Sequence, residues 1–275
     1  MCNISRHHLP HCEKKEYDLV SSEIKNLIKE KFTSNKLLLN QDLIEALEEF
    51  AELLVIENKK YNLTRIVKEE EIVDKHFIDS ILGFERFLEK NKFKKSCHML
   101  DIGSGAGFPG IPLLLYDQIC KSKKLIKKIH LLDSNRKKCD FLNLISTKIR
   151  KRLPINLIKI NHARLEHLLL EEEIPDIFVS RATGKISDVL NSFENFLKNN
   201  IKKVIKSGEV ELLHYGGPGS TIFREKKSKV FSTKEKMNYV LHRKVKEVYE
   251  YKFSSENYAR KNVLYVFRPI ILSKD

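Results

Sequence analysis

Glycines follow the acidic residue Asp101 at every second position and interrupt an otherwise apolar stretch. Gly103, Gly105 and Gly107 come after a short apolar run at 97–102, and an apolar segment opened by two prolines follows them. Glycine permits the positive φ angles of a sharp turn and lets a ligand lie directly against the backbone. Proline is tolerated in the first turn of a helix. The pattern therefore predicts a strand, a glycine turn and a helix N-terminus, the local geometry of a nucleotide-type ligand site.

The position of Asp101 distinguishes two classes of nucleotide ligand. Gly105-x-Gly107-x-x-Gly110 also fits the dinucleotide fingerprint, which is weak evidence by itself. A carboxylate two residues before the first glycine would repel a pyrophosphate, whereas it would suit an ammonium group. S-adenosylmethionine carries an amino acid and a sulfonium in place of a pyrophosphate. The turn therefore favours the S-adenosylmethionine site of a class I methyltransferase over a dinucleotide site, and over a tight turn that binds nothing.

A second carboxylate, Asp133, ends the next predicted strand. At that position a carboxylate can accept both ribose hydroxyls of a nucleoside ligand, and Ser134 and Asn135 would line the same edge of the pocket. A lone aspartate at a strand end is also a common N-cap of the following helix, so this alternative stays open. Given the preceding glycine turn, we favour the ribose role.

Two loops at the carboxyl ends of later strands are predicted to face the same crevice. The loop 162–166, His-Ala-Arg-Leu-Glu, could flank an adenine through backbone N–H groups and apolar contact. Arg181 follows the fourth predicted strand within Ser-Arg-Ala-Thr-Gly. Its guanidinium could hold the carboxylate of a methionine moiety, hold a phosphate of the acceptor, or lie on the surface without a ligand. We favour a functional role because the position is beside the crevice.

The sequence lacks two motifs that other methyl acceptors require. No Asn/Asp-Pro-Pro-aromatic motif, which orients an exocyclic amine, follows the fourth strand, and no Pro-Cys, which would support attack on a pyrimidine carbon, occurs anywhere. A ring nitrogen such as guanine N7 has an exposed lone pair and no proton to lose. Its methylation needs alignment and shielding from water more than a general base, so the sequence is compatible with that acceptor.

Composition sets the class of protein and of partner. The 275 residues suffice for one large α/β domain with an appendage, and the net charge of +14 fits a nucleic-acid partner, although a general bias toward lysine would also produce it. Five cysteines without a CxxC pair indicate reduced thiols and a cytoplasmic protein. Because no apolar run is long enough to span a membrane, we expect no membrane partner. We also expect a monomer and no metal, since the N-terminal histidine and cysteine spacings match no defined site.

Apolar periodicity divides the chain into three segments. Residues 1–40 are predicted as an N-terminal extension, 41–96 as a helical segment packed on the core, and 97–275 as the main domain. In the main domain strand and helix patterns alternate, which predicts a doubly wound, Rossmann-like parallel α/β sheet. After a disordered tail at 1–15, helices are predicted at 16–33, 41–60, 69–89, 109–120, 135–150, 163–173 and 186–199; strands at 97–102, 128–133, 155–160, 175–180, within 202–214, 246–254 and 262–269; and a basic Gly-Pro-rich loop at 215–229.

Three polar residues share one face of the third predicted helix. His76, Asp79 and Ser80 are three and four residues apart, so their side chains are neighbours. They could brace the ligand site, or they could form a hydrogen-bonded trio beside the core. The spacing leaves both interpretations open.

Six segments, taken together and in this order, carry a family resemblance: Tyr61–Thr64, His76–Ser80, Leu100–Pro112, Leu132–Ser134 with Arg136 and Lys137, His162–Glu166, and Ser180–Ala182. In these segments the chain closely resembles the bacterial RsmG (GidB) family. That family comprises S-adenosylmethionine-dependent methyltransferases of small-subunit (16S) ribosomal RNA, which act at guanine N7 in a loop near the decoding centre. The resemblance runs from residue 41 to residue 187 and is weaker in the closing hairpin.

The resemblance implies a class I, seven-stranded methyltransferase sheet with an N-terminal helical segment packed against it. It also implies that Asn62, His76 and Asp79 lie near the cofactor or the target base, which makes them, with Arg181, the candidates for the catalytic site. The implied S-adenosylmethionine contacts are Gly103, Phe108, Asp133, Ser134, Asn135, Leu165, Glu166 and Arg181; Asp101, Gly105 and Gly107 join them from the glycine turn.

The chain departs from the family pattern in two places. Residues 1–39 form an extension ahead of the usual start. After the fifth strand, similar proteins tend to carry a Lys-Gly where this chain has His-Tyr-Gly-Gly-Pro-Gly at 214–219, which affects the expected contacts to the acceptor. Lys206 or the basic loop at 224–229 could supply the missing charge.

The resemblance thus implies methylation of guanine N7 in small-subunit ribosomal RNA, with S-adenosylmethionine as cofactor and the RNA or the ribosomal subunit as partner. One alternative is a class I methyltransferase with a small-molecule or protein acceptor, whose turnover would be indifferent to RNA and salt. Another is a nonenzymatic RNA-binding assembly factor, which would not bind S-adenosylmethionine.

Overall fold

A computed structural model describes most of the chain. The backbone is described for residues 11–91, 95–154, 156–170, 173–207, 209–216, 227–232, 238–252 and 261–274. Within these stretches the side chains are described from residue 23 onward, except at 207, 227–261 and 270–274. No helix in the described part of the chain is both long enough and apolar enough to cross a membrane.

The strands of the described residues belong to one sheet. They are β1 (Cys97–Ile102), β2 (Ile126–Asp133), β3 (Ile158–His162), β4 (Ile177–Arg181), β5 (Glu211–Gly216), β6 (Lys227–Ser232), β7 (Asn238–Lys252) and β8 (Lys261–Lys274). Their order is β3-β2-β1-β4-β5-β8-β7-β6. The first five strands in this order are parallel, and β8, β7 and β6 extend the sheet as antiparallel strands. Because the chain winds outward in both directions from β1 and β4, the switch point between these two strands is where a ligand crevice is expected.

Helices cover both faces of the sheet. They are α1 (His11–Ser34), α2 (Gln41–Tyr61), α3 (Glu69–Glu71), a π-helix (Ile72–Ile78), α4 (Asp79–Asn91), α5 (Gly110–Cys120), α6 (Arg136–Ile149), α7 (Ile186–Asn199) and α8 (Ile201–Ser207), with 3-10 turns at Arg150–Arg152 and Leu165–His167. Side chains from the described helices up to α6 form one buried cluster with the sheet, and those of α7 and α8 form a second cluster with it. The prediction of a doubly wound α/β fold preceded by helices is confirmed.

Alternation along the central strands decides which side chains reach which face. Met99 belongs to the cluster on the α1–α6 side, and the next residue, Leu100, belongs to the cluster under α7. Since successive strand residues point to opposite faces, Asp101 shares the face of Met99. By the same rule Arg181 shares the face of Val179, which lies in the α1–α6 cluster. Both charged residues therefore project toward the N-terminal helices.

The N-terminal helices form part of the core. Ile24, Ile28 and Phe32 of α1 are fully buried in the same cluster as α2 and α5. Lys31, also buried, extends its amino group to Glu70 and Asp74 at 3.5 and 3.8 Å. The prediction of a disordered tail is wrong at 11–15, because α1 begins at His11. Residues 1–10 lie outside the described residues, as do the side chains of the N-terminal histidines and cysteines.

Several predicted boundaries differ from the structure. The strand predicted within 202–214 is β5, which begins only at Glu211, because 202–207 belongs to helix α8, with Val204 buried in the α7 cluster. The helix predicted at 163–173 is a single 3-10 turn in the described residues. The described sheet has eight strands where the resemblance implies seven, the additional antiparallel strand being β6 at the edge. Residues 217–226 of the predicted Gly-Pro-rich loop lie outside the described residues, and its last three residues, 227–229, begin β6.

A π-helix interrupts the helix that the periodicity predicts at 69–89. The N–H of Asp79 donates to the carbonyl of Asp74, five residues earlier, where an α-helix would use four. π-Helical turns are rare and frequently accompany functional sites. The wide turn carries His76 and leaves the Lys75 carbonyl to accept a hydrogen bond from Arg181 at 3.1 Å. Hydrophobic periodicity predicts the helix but gives no signal for this change of pitch.

Candidate cofactor site

The glycine turn connects β1 to α5 through three left-handed residues. The φ angles of Gly103, Gly105 and Gly107 are 65°, 58° and 92°. A Cβ at Gly107 would lie 2.5 Å from the side chain of Ile111, so this glycine permits close packing of α5. A Cβ at Gly105 would meet nothing nearer than the Gly103 carbonyl at 3.8 Å. Gly105 therefore leaves open space beside the backbone, as expected of a residue against which a ligand lies.

Asp101 is fully buried beneath this turn and has one unfilled oxygen. Its Oδ2 accepts a hydrogen bond from the Gly110 N–H at 2.9 Å, whereas its Oδ1 has no hydrogen-bond partner among the described residues. Burial raises the pKa of Asp101 to about 7, although the Gly110 N–H and the Arg181 charge partly oppose this shift. A buried acceptor without a donor is costly to the fold, so Oδ1 is placed to receive a donor from a ligand.

Asp133 lies at the end of β2 and faces the glycine turn. One oxygen accepts from the Gly105 N–H at 2.9 Å and the other from the Asn135 N–H at 2.8 Å. The N-cap of α6 is Asn135, whose side chain accepts from the Lys138 N–H, so the capping alternative for Asp133 is wrong. The Lys138 amino group is 4.0 Å from the Asp133 carboxylate. Asp133 is thus held beside Gly105 with free lone pairs for hydroxyl donors.

The loop after β3 is attached to the same edge. The Ala163 N–H donates to the Asp133 carbonyl at 3.1 Å, and the His162 ring lies 3.1 Å from the Ser134 carbonyl. Leu165 is buried in the cluster under α7, whereas Glu166 is partly exposed and its carbonyl accepts from Asn199. The structure therefore brings Asp133, Ser134 and the 162–166 loop together, as the sequence predicts for the edge of an adenosine pocket.

Arg181 is held by the N-terminal helices. Its Nη1 donates to Asp79 Oδ2 at 2.9 Å and to the Lys75 carbonyl at 3.1 Å, while the second oxygen of Asp79 accepts from Asn262 at 2.7 Å. Its Nη2 is buried without a hydrogen-bond partner among the described residues. The guanidinium also lies over the ring of Phe108, 5.6 Å from its centre. Arg181 therefore has a fixed orientation and one buried nitrogen, Nη2, that is available to a ligand acceptor.

His76 and Phe108 form a stacked pair beside Arg181. Their ring centres are 4.0 Å apart and their planes differ by 7°. The Phe50 ring also stacks with Phe108, with ring centres 5.0 Å apart. His76 Nε2 lies 3.2 Å from the Thr64 hydroxyl, and its buried Nδ1 has no partner among the described residues. Burial and the nearby Arg181 charge hold the pKa of His76 well below its usual value of 6.5. The ring is therefore a neutral imidazole at pH 7.

Ser80 braces the site without facing it. Its hydroxyl donates to the His76 carbonyl at 2.5 Å, and its own carbonyl accepts from the Tyr215 hydroxyl at 2.8 Å. Of the trio on this helix, His76 and Asp79 thus reach the site, whereas Ser80 belongs to the core. Asn62 is exposed and ends α2 in a left-handed conformation with φ of 49°. No described hydrogen bond, ion pair or ring contact joins its side chain to the other predicted residues.

Sequence reasoning missed three residues of the site. Thr183 covers the turn so closely that its methyl would overlap a Cβ at Gly103, and its buried hydroxyl has no partner in the described residues. Lys138 reaches Asp133, and Tyr215 lies 5.9 Å from the Arg181 guanidinium. Thr183 stands in the quoted Ser-Arg-Ala-Thr-Gly segment, so its position beside Arg181 was a usable signal. Nothing in the spacing of Lys138 or Tyr215 indicates their contacts.

Comparison with known proteins gives a consistent family match. The family model described as rRNA small subunit methyltransferase G matches residues 43–215, more than half of the chain. The ribosomal RNA small subunit methyltransferase G of Mesoplasma florum is 38% identical over 170 residues, which are 62% of this chain and 65% of that protein. The protein of the same name from Clostridium botulinum (strain Eklund 17B) is 32% identical over 203 residues, 69% of this chain and 77% of that protein.

Solved structures that match the chain are more distant in sequence. An S-adenosylmethionine-dependent methyltransferase from Aquifex aeolicus is 11% identical, with a TM-score of 0.41 over 70% of this chain and 92% of that one. The chain covers 65% of the length of the first relative above, slightly under two thirds. The residues that the family model matches, 43–215, include every residue of the candidate site except Asn262.

Proposed function

Because this chain belongs to the rRNA small subunit methyltransferase G family, we propose that it transfers a methyl group from S-adenosylmethionine to guanine N7 of small-subunit ribosomal RNA. Family membership supports the substrate class, since the relatives are named for methylation of small-subunit ribosomal RNA. The proposal includes action as a monomer and, because the substrate is ribosomal RNA, a cytoplasmic location. The assignment to N7 rests on the family resemblance and on the chemistry of the site.

The observation that carries the proposal is a pair of oppositely charged groups, each of which has one buried polar atom without a hydrogen-bond partner among the described residues. Asp101 Oδ1 and Arg181 Nη2 lack partners among the described residues, and both residues project from adjacent strands toward the same face of the sheet. A free amino acid end carries one ammonium and one carboxylate. These two groups would therefore satisfy both unfilled positions at once.

The chain's own residues fit the remaining parts of S-adenosylmethionine. Bound there, S-adenosylmethionine supplies an electrophilic methyl group on a sulfonium. Asp133 would accept the ribose hydroxyls, while Ser134, Asn135 and the loop 163–166 would border the adenine. Gly105 leaves the backbone open for close approach. The proposed cofactor contacts also include Gly103, Gly107, Phe108, Leu165 and Glu166.

Methylation of N7 asks little acid–base chemistry of the protein. Guanine N7 already has a lone pair, so no residue has to remove a proton from it. His76 stays neutral because its pKa is depressed, and its ring stacks on Phe108 where Arg181 already provides positive charge. His76, Asp79 and Arg181 are accordingly proposed to orient the reacting groups and exclude water, not to transfer protons. Asn62, exposed at the end of α2, is proposed on the acceptor side.

The direct test is transfer of labelled methyl groups from S-adenosylmethionine to small ribosomal subunits that lack modification. Naked ribosomal RNA and a protein-only extract serve as parallel acceptors, and the product is tested for chain cleavage at N7-methylguanine. We expect label at one cleavable guanine and a rate that falls steeply as salt rises, because phosphate contacts release counterions. Label in RNA without cleavage would overturn the N7 assignment. Label in the protein extract alone would favour the alternative acceptor class.

A substitution in the turn checks that the same pocket is used. Gly103→Asp would place a carboxylate against Thr183 at a residue with φ of 65°. We expect loss of transfer together with loss of S-adenosylmethionine binding, while the circular dichroism spectrum stays unchanged. Full activity of this folded variant would contradict the pocket assignment.

A further inference from the structure

An exposed aromatic ring stands beside the proposed cofactor pocket with a basic helix end next to it. Tyr61 is the last residue of α2, and 44% of it is exposed. The amino group of Lys137, in the first turn of α6, lies 5.9 Å from the centre of the Tyr61 ring. We refer to Tyr61, Arg136 and Lys137 as the α2–α6 rim.

Packing between the two helices fixes this rim in place. Near the opposite ends of the helices, Arg152 reaches Glu45 at 3.4 Å. In the middle, the rings of Phe50 and Phe141 stack with centres 6.5 Å apart. The C-terminus of α2 is therefore held against the N-terminus of α6. Since Asn135 and Asp133 immediately precede α6, the rim lies at the edge of the pocket.

The charges of the rim are unfavourable for the helix that carries them. Positive residues are disfavoured at a helix N-terminus, which has a partial positive charge of its own. The first turn of α6, all of it described, nevertheless contains no acidic residue and begins Arg-Lys-Lys. Arg136 pairs with Asp140 at 3.2 Å, whereas Lys137 extends over Tyr61. Exposed Lys59, Lys60, Arg65 and Lys68 add positive charge near Tyr61 along the chain.

Exposed aromatic rings set among basic side chains are how proteins hold unpaired nucleotides, with the ring stacking on a base and the cations contacting phosphates. We infer that the α2–α6 rim binds a single-stranded RNA segment, in which one base stacks on Tyr61 and the adjacent phosphates contact Arg136 and Lys137. This inference rests on the proposed function and names the surface that holds the acceptor. A duplex does not fit this role, because its bases are already stacked.

The chain contains no tryptophan, which gives the inference a direct spectroscopic test. Tyr61→Trp introduces a single indole at the rim, and Ile205→Trp introduces one on α8, a residue of similar exposure at 52%. α8 precedes β5 and lies toward the amino ends of the parallel strands, away from the pocket. The probes are a single-stranded adenosine 12-mer RNA, a duplex RNA of the same length, and inorganic polyphosphate of matched charge.

We expect the 12-mer to quench the fluorescence of the Tyr61→Trp protein strongly, and the duplex and polyphosphate to quench it little. The Ile205→Trp protein should respond to none of the three. Tyr61→Ala should weaken 12-mer binding and raise the KM for small subunits about tenfold, whereas Tyr61→Phe stays within about twofold, because the ring provides the stacking. Lys137→Ala should reduce the salt dependence of binding, and Lys127→Ala, exposed at the start of β2 on the opposite edge, should not.

Equal quenching by polyphosphate, or wild-type KM in Tyr61→Ala, would overturn the inference while methyl transfer by the wild-type protein left the proposed function intact. Conversely, quenching by the 12-mer without methyl transfer to any ribosomal RNA would support the rim and overturn the proposed reaction. Binding of S-adenosylmethionine by Tyr61→Ala at wild-type affinity separates a role in holding RNA from general damage to the site.

Discussion

Asp101, in β1 beside the N-terminus of α5, and Asp117, near the C-terminus of α5, are both buried carboxylates, but they differ in the hydrogen bonds that their oxygens accept. Asp117 accepts hydrogen bonds from the N–H groups of Leu125 and Ile126 and from the Gln118 amide, at 2.8–3.1 Å. In Asp101, Oδ2 accepts a hydrogen bond from the Gly110 N–H, and Oδ1 has no partner among the described residues. A satisfied buried carboxylate stabilises the fold, whereas an unsatisfied one is retained at a cost. We infer from this comparison that Asp117 is structural, and we propose that Asp101 serves a ligand.

The largest effect is expected on stability, at Asp117, because both of its oxygens accept hydrogen bonds. Asp117→Ala leaves the N–H groups of Leu125 and Ile126 buried without an acceptor, so we expect the free energy of unfolding to fall by about 2–5 kcal/mol. Urea unfolding followed by circular dichroism measures this change. At low temperature, where the variant is still folded, its affinity for S-adenosylmethionine should equal that of the wild type. A large loss of affinity with unchanged stability would reverse the roles assigned to the two aspartates.

The complementary substitution should affect binding instead. Asp101→Asn keeps an oxygen for the Gly110 N–H but removes the charge that would meet an ammonium group. We expect S-adenosylmethionine to bind about tenfold to a hundredfold more weakly, the range for one charge-assisted hydrogen bond. Titration calorimetry measures the dissociation constant, and thermal unfolding checks that the variant is no less stable. Binding within threefold of the wild type would remove Asp101 from the site.

The buried carboxyl group of Asp101 also predicts that stability and cofactor affinity both depend on pH. The pKa of Asp101 is raised to about 7 in the folded protein, from 3.8, because burial penalises the carboxylate. Its contribution to stability is therefore fully present below about pH 4 and is lost as the pH rises to 7. Cofactor binding should follow the opposite trend. Since the carboxylate form is the one that holds an ammonium, affinity should fall by up to about tenfold per pH unit below pH 7.

Calorimetry across pH 5.5–8.5 tests this trend, and two buffers of different ionisation enthalpy report the proton released on binding. Asp101→Asn provides the matched control, because it should bind weakly at every pH and release no proton. A wild-type affinity that is constant over this range would show that Asp101 does not titrate at the site.

The sequence predicted the parts of the site that lie at strand ends, but not the contacts between distant segments. Asp101, Asp133 and Arg181 were found because each follows or ends a strand, and parallel strands bring their carboxyl ends to one edge. The pairing of Arg181 with Asp79 depends on helices packed from over 100 residues away along the chain. Local pattern does not carry such contacts. The π-helix and the helical conformation of 202–207 were missed for the same reason.

The smallest effect is expected at Gln118, whose substitution tests which donors hold Asp117 in place. Gln118 donates to Asp117 Oδ2 at 2.8 Å and to the Ile126 carbonyl at 2.9 Å, and it is partly exposed. Gln118→Ala removes these bonds but leaves both backbone N–H groups on the carboxylate, and water can replace the amide. We expect a loss of about 1 kcal/mol or less in the free energy of unfolding and no change in S-adenosylmethionine affinity. A loss as large as that of Asp117→Ala would mean that the amide, and not the two backbone donors, holds this carboxylate in place.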